Sequence, residues 1–196
     1  MANYPYIIAS FPDLLLDFAQ HPIDEEAVIA EVKGLLSEKD GKLVDWLEFG
    51  LDGDHLKPHF YRNIRQTRND FLTEWFDFDR KLRLAKVAHL AGKPIEETFP
   101  EMDRAIQVFA IADLFQREKR LDRLCWDKAA ELVDFDIFTI DTILSLLVRL
   151  HIAVRWNKLD PKAGAEFFKQ LVNEVRGTFQ GTPRLQGGRL LRPHGA

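Results

Sequence analysis

The chain holds a single cysteine, Cys125, in 196 residues. No disulfide can close within it, which fits a protein of a reducing compartment. It also lacks an excess of positive charge: 27 Lys and Arg stand against 31 Asp and Glu. A weakly acidic chain is poorly suited to the phosphate backbone of a nucleic acid, which calls for clustered Lys and Arg. Long apolar runs are absent too. The best candidate, 137–154, is interrupted by Asp141, Arg149 and His151 and falls short of the ~20 apolar residues of a membrane-crossing helix. The first residues carry no basic stretch, and Asp13 and Asp17 break the early apolar segment, so no secretory leader is expected. Direct membrane insertion is therefore not expected, and any membrane association should run through protein partners.

The motifs of common catalytic sites are missing as well. There is no Walker loop, no dinucleotide fingerprint, no serine nucleophile elbow and no Cys-x-x-Cys. We expect a non-enzyme, with no catalytic residue, cofactor or metal.

What the chain does have is core-forming material. It is 46% hydrophobic, and its 15 Phe and 4 Trp make that core strongly aromatic. The pattern is helical almost throughout. Tyr4 to Pro12 is apolar but bracketed by Pro5 and Pro12, which predicts an extended segment or one short turn. Asp24 caps a helix over 25–39 that buries Val28, Val32, Leu35 and Leu36. A short helix after Asp40-Gly41 ends near Gly50, and Asp52-Gly53-Asp54 makes a turn. A long helix is predicted over 60–91. In it Ile64, Phe71, Phe78 and Ala85 recur every seven residues, with Arg68, Trp75, Leu82 and His89 between them, as in a seam against an antiparallel partner.

Helix 103–115 follows. The charged run 116–120 leads into a stripe of Leu121, Leu124, Cys125, Ala129 and Leu132, and a single kinked helix could hold both. Helix 137–156, capped by Asp136 or Thr139, is the most apolar. Asp160-Pro161 opens a last helix that should bury Ala165, Phe168, Leu171, Val172 and Val175 and stop at Gly177. The fold expected is all-α: an elongated antiparallel helical bundle with long central helices and a short extended N-terminal segment. One helical domain should span 1–177. The basic 178–196, with Arg184, Arg189 and Arg192 and no acid, should be a disordered tail. Trp75, Phe78, Trp126 and Trp156 are expected in the core.

Four groups of residues invite a chemical reading. His55 and His59, with Asp52 and Asp54 nearby, could ligate a metal in a metal-dependent hydrolase, but Pro58 stands between the two histidines, and a polar loop is the stronger reading. Asp77 and Asp79 could do acid–base work, but they sit about 200° apart on a helix. Pairing of Asp77 with Lys81 and of Asp79 with Arg83 is preferred. Cys125, on an apolar stripe, is expected to be structural. Glu118, Arg149 and Arg155 are candidate partner-interface residues. For Arg149, His151 and Arg155 an internal pairing with Asp122, Asp127, Glu118 or Asp141, or a solvated edge, weighs equally.

Several segments carry a family likeness. Tyr4, Tyr6-Ile7-Ile8-Ala9-Ser10-Phe11-Pro12 resembles the opening of an uncharacterised bacterial family encoded within operons for V/A-type rotary ATPases. Asn69-Asp70-Phe71-Leu72, Trp75-Phe76 and Phe78-Asp79 resemble its central helix. Glu118-Lys119, Asp122 and Trp126 resemble its next signature. Phe135-Asp136-Ile137 through Leu147, Leu150, Arg155-Trp156, Leu159-Asp160 and Gly164 resemble its last. The likeness covers about 4–175. It implies a cytoplasmic, all-helical, non-catalytic component standing in for the C-type component of the central stalk. That C-type component caps the membrane rotor ring, seats the central stalk and passes torque between them. Partners would be the other ATPase subunits, with the protein peripheral to the inner membrane through them. The C-type component proper is much longer and built from repeated helical units, so its docking mode on the ring is not carried over. The rival reading is a general helical scaffold or regulator.

Overall fold

Side-chain caps set the helix starts. Asp24 accepts from the Ala27 amide at 3.1 Å, Ser37 from Asp40 at 3.2 Å, Asn69 from Leu72 at 2.8 Å, Asp113 from Gln116 at 2.7 Å and Thr139 from Thr142 at 3.4 Å. Each satisfies an amide that the first turn leaves without an intrahelical partner. The computed structural model describes residues 3–18, 23–133, 135–158 and 161–179. Among these the elements are α1 (Tyr4–Ser10), α2 (Glu25–Leu35), α3 (Glu38–Leu51), α4 (Pro58–Gln66), α5 (Asp70–Leu90), α6 (Met102–Phe109), α7 (Leu114–Glu131), α8 (Ile140–Arg155) and α9 (Pro161–Phe179). Short 3₁₀ turns lie at Gly53–His55 and Trp156–Lys158. The described residues contain no strand, so the fold is all-α.

Several boundaries differ from the expectation. The segment 4–10 is a helix of about two turns, where an extended segment or one short turn was expected. Pro5 falls in the first turn, where its missing N–H costs nothing, and Pro12 lies beyond the end. Ile7 is thereby buried. The expected helix 25–39 ends at Leu35, because Ser37 caps a new helix that runs through Gly41. The expected helix 60–91 is broken between α4 and α5. Arg68 adopts φ 55°, in the left-handed region, and Asn69 caps the restart. The Thr67 hydroxyl donates to the Ile64 carbonyl at 2.6 Å and accepts from the Asn69 amide at 3.3 Å, pinning the break. α6 stops at Phe109, and the charged run 116–120 lies within a continuous α7.

The core draws on faces of α1 through α8, and α8 is the most heavily buried helix. Ten of its residues, from Thr142 to Val154, are buried, and it packs against α1, α2, α3, α5 and α7. The predicted seam residues Ile64, Phe71, Phe78 and Ala85 are all buried, as are Trp75 and Leu82. Gly50 is required where α3 meets α4 and α5, since a Cβ there would run into the rings of Phe76 and Phe60. Trp156 is buried, whereas Trp126 is only partly so.

The chain divides after Lys158. Residues 1–158 form one compact unit, and 159–196, with α9, form the second, where a single domain over 1–177 was expected. α9 continues through Gly177 to Phe179. Its stripe has the predicted period, but Ala165, Phe168, Leu171 and Val175 are exposed and Val172 is half-buried, contrary to expectation. A helix cannot cover its own apolar face. Residues 180–196 of the expected tail lie outside the described residues.

Candidate partner-docking surface

The last turn of α8 places Arg155 beside α7. Its Nη1 donates to Asp122 Oδ1 at 2.7 Å and its Nη2 to Glu118 Oε2 at 2.9 Å. Glu118 and Asp122 lie four residues apart, one turn along α7, so both face the same neighbour. The Trp156 indole Nε1 donates to the other oxygen of Asp122 at 2.8 Å. Lys86 on α5 donates to Glu118 Oε1 at 3.1 Å. A ladder of charge thus ties α5, α7 and α8 together. Sequence reasoning named Glu118, Asp122 and Arg155 but missed Lys86, because no local spacing announces a contact between α5 and α7.

The electrostatics differ along the ladder. Burial pushes the Asp122 carboxyl up, and Arg155 and the Trp156 indole only partly offset it. Burial also acts on Glu118, but hydrogen bonds from Arg155 and Lys86 outweigh it and hold that carboxyl below the usual range. Both acids are therefore committed to internal structure, and Arg155 keeps a half-exposed side chain at the edge.

Arg149 is different. Its guanidinium lies over the Trp126 ring, 5.4 Å from the centroid, and its buried Nε has no hydrogen-bond partner among the described residues. Desolvation makes its charged form less favourable. The stack over the indole face fixes the guanidinium in one orientation.

Around the ladder the surface is aromatic. Phe18 and Phe115 set their edges against Trp156 at 5.1 and 5.5 Å, and Lys119 Nζ lies 4.9 and 4.4 Å from those two rings. Between α7 and α8 the linker turns Phe135, Ile137 and Phe138 outward, Phe135 fully exposed. Leu84, Val87 and Leu90 expose a second apolar strip on α5.

The remaining candidates resolve locally. Asp77 pairs with Lys81 at 2.6 Å and Asp79 with Arg83 at 2.8 Å, as predicted. The His55 ring stacks on Phe49 at 3.9 Å and donates to its carbonyl at 2.9 Å, while His59 is exposed on α4. No group of three or more His, Cys, Asp or Glu able to hold a metal is found among the described residues. Burial, with Asp79 and Asp122 nearby, pushes the Cys125 thiol well up, away from the reactive thiolate. His151 donates to Glu25 at 2.7 Å. Asp141 accepts from Asn69 at 2.6 Å, and Arg104 donates to Asp127 at 3.4 Å.

The model of a family described as a protein of unknown function (DUF2764) matches residues 94–178, under half of the chain, from the approach to α6 into the last turn of α9. No curated protein and no solved structure matches. No helix among the described residues is long and apolar enough to cross a membrane.

Proposed function

We propose that this chain is a non-catalytic adaptor of a V/A-type rotary ATPase, similar in role to the C-type component of the central stalk and linking that stalk to the membrane rotor ring in the cytoplasm. It would thereby couple ATP hydrolysis or synthesis to proton or sodium transport. The observation that carries the reading is the outward-facing linker. Phe135 and Ile137 belong to a segment that resembles the ATPase-operon family, yet Phe135 is fully exposed and Ile137 half-exposed. Apolar residues presented between two well-packed helices suit a docking contact. The ladder of Lys86, Glu118, Arg155 and Asp122 supports the same reading, because a torque-bearing adaptor has to be stiff. Arg149 on Trp126 offers a further polar contact at low ordering cost.

The test is recovery of the tagged protein from gently solubilised native membranes. ATPase head, stalk and ring subunits should accompany it in fixed ratio. The double variant Phe135→Asp, Ile137→Asp should keep the parental melting temperature and lose most of that recovery. Absence of ATPase subunits, from an extract in which the ATPase is intact, refutes the assignment and leaves the general scaffold reading.

A further inference from the structure

The exposed face of α9 has a specific composition. With about 100° per residue, Phe168, Leu171, Val172 and Val175 fall within roughly 100° of arc, and Phe167 extends that arc on the Leu171 side to roughly 140°. Phe167 and Phe168 are 62% and 67% exposed. Lys169 and Arg176 lie together at one boundary of the arc, about 80–100° from its Phe168 line. Glu166 falls on the opposite face, and Glu174 borders the other edge. The helix belongs to the second compact unit, and the core residues among those described all precede it.

Charge is distributed unevenly along the sequence. Residues 161–196 carry six Lys or Arg and two Glu, against 27 and 31 in the whole chain, so the part before them is strongly acidic. Within α9 itself Lys162, Lys169 and Arg176 stand against Glu166 and Glu174, and the sequence after it adds three arginines and no acid.

We propose that α9 lies on an anionic lipid surface, with Phe167, Phe168, Leu171 and Val175 in the boundary of the acyl chains and Lys169 and Arg176 reaching lipid phosphates at the waterline. A pair of helices in a protein–protein seam needs a narrower stripe with charges on its flanks. A wide face with two adjacent phenylalanines and basic residues at its border fits the interfacial mode better. Long basic side chains there can extend their heads to the phosphates while their stems stay on the apolar side. The helix lies on the surface and does not span it, in keeping with its length and charge. This departs from the expectation that membrane association runs through protein partners alone. It is independent of the adaptor reading, because vesicle binding and ATPase association are measured separately.

The test is flotation of the full chain with vesicles of phosphatidylcholine alone or mixed with phosphatidylglycerol. The protein should float with the anionic vesicles and stay behind with the neutral ones. Lys169→Glu with Arg176→Glu should weaken binding on the order of tenfold or more, and raised salt should weaken it in the same direction. Phe168→Glu with Leu171→Glu should abolish it at unchanged melting temperature, since both side chains are exposed. Failure of the folded parent to float with anionic vesicles overturns the proposal. So does undiminished flotation of the Phe168, Leu171 variant. Loss of a protein partner through that same variant, in a parent that ignores vesicles, overturns it in favour of a protein-binding helix.

Discussion

Asp122 is the residue on which the α7–α8 contact turns. It is 5% exposed, and each of its oxygens accepts from a different donor, Arg155 on one side and the Trp156 indole on the other. Glu118, one turn earlier, is tied to Arg155 and Lys86. The two acids should respond to pH in opposite senses. Glu118 is held below its ordinary range, so its contribution is full above the unfolded carboxyl value and fades as pH falls through the folded one. Asp122 is pushed above its ordinary value, so protonation favours the folded state, and its contribution is lost as pH rises through the folded value. Glu118→Gln should therefore flatten the acid limb of a stability-against-pH curve. Asp122→Asn should steepen that limb, and at neutral pH should also cost about 1–3 kcal/mol, the figure being held down because the Arg155 side chain is 44% exposed. Urea unfolding between pH 7 and pH 4 measures both slopes, and parallel limbs in the two variants would contradict the assignment.

At the scale of elements, the break between α4 and α5 is the informative one. Arg68 sits at φ 55°, which costs a side-chain-bearing residue about 1–2 kcal/mol. Arg68→Gly should relieve that strain at the price of about 0.5–1 kcal/mol of chain entropy. The melting temperature should then rise by a few degrees at most. In a continuous helix over 60–91 the same change would lower stability by about 1 kcal/mol, so thermal unfolding decides between the two by sign alone. The heptad pattern was legible and correct about burial, since Ile64, Phe71, Phe78 and Ala85 are all inside. It could not reveal the break, because the seven-residue spacing survives across it and no glycine or proline marks it. Instead Thr67 and Asn69 hold it with their side chains. Pro5 misled for the opposite reason: a proline in the first turn permits a helix. At the candidate surface, the residue types of Glu118, Asp122 and Arg155 were legible. Which acid each arginine takes was not, because that depends on how α7 and α8 are placed against each other. Arg149 lies over an indole face, a contact that neither the internal pairing nor the partner reading anticipated.

At the scale of the whole molecule, the division after Lys158 separates stability from surface. Among the described residues, every member of the hydrophobic core cluster lies before it, from Ile7 to Val154, and Trp156 is buried just ahead of it. α9 has the period of a buried helix, and its sequence alone predicted burial, yet periodicity reports only that a face wants cover. It does not say whether the cover comes from the same chain. Truncation to 1–158 should therefore leave a folded protein whose melting temperature lies within about 3 °C of the parent, a shift expected when little core is removed from a chain of this size. Tryptophan emission should stay blue-shifted, because Trp75 and Trp156 remain buried. The truncated chain should fail to float with anionic vesicles, while Phe135, Ile137 and Phe138 stay exposed. A large loss of stability would mean that α9 is part of the fold after all, and its apolar stripe would then need no partner outside the chain.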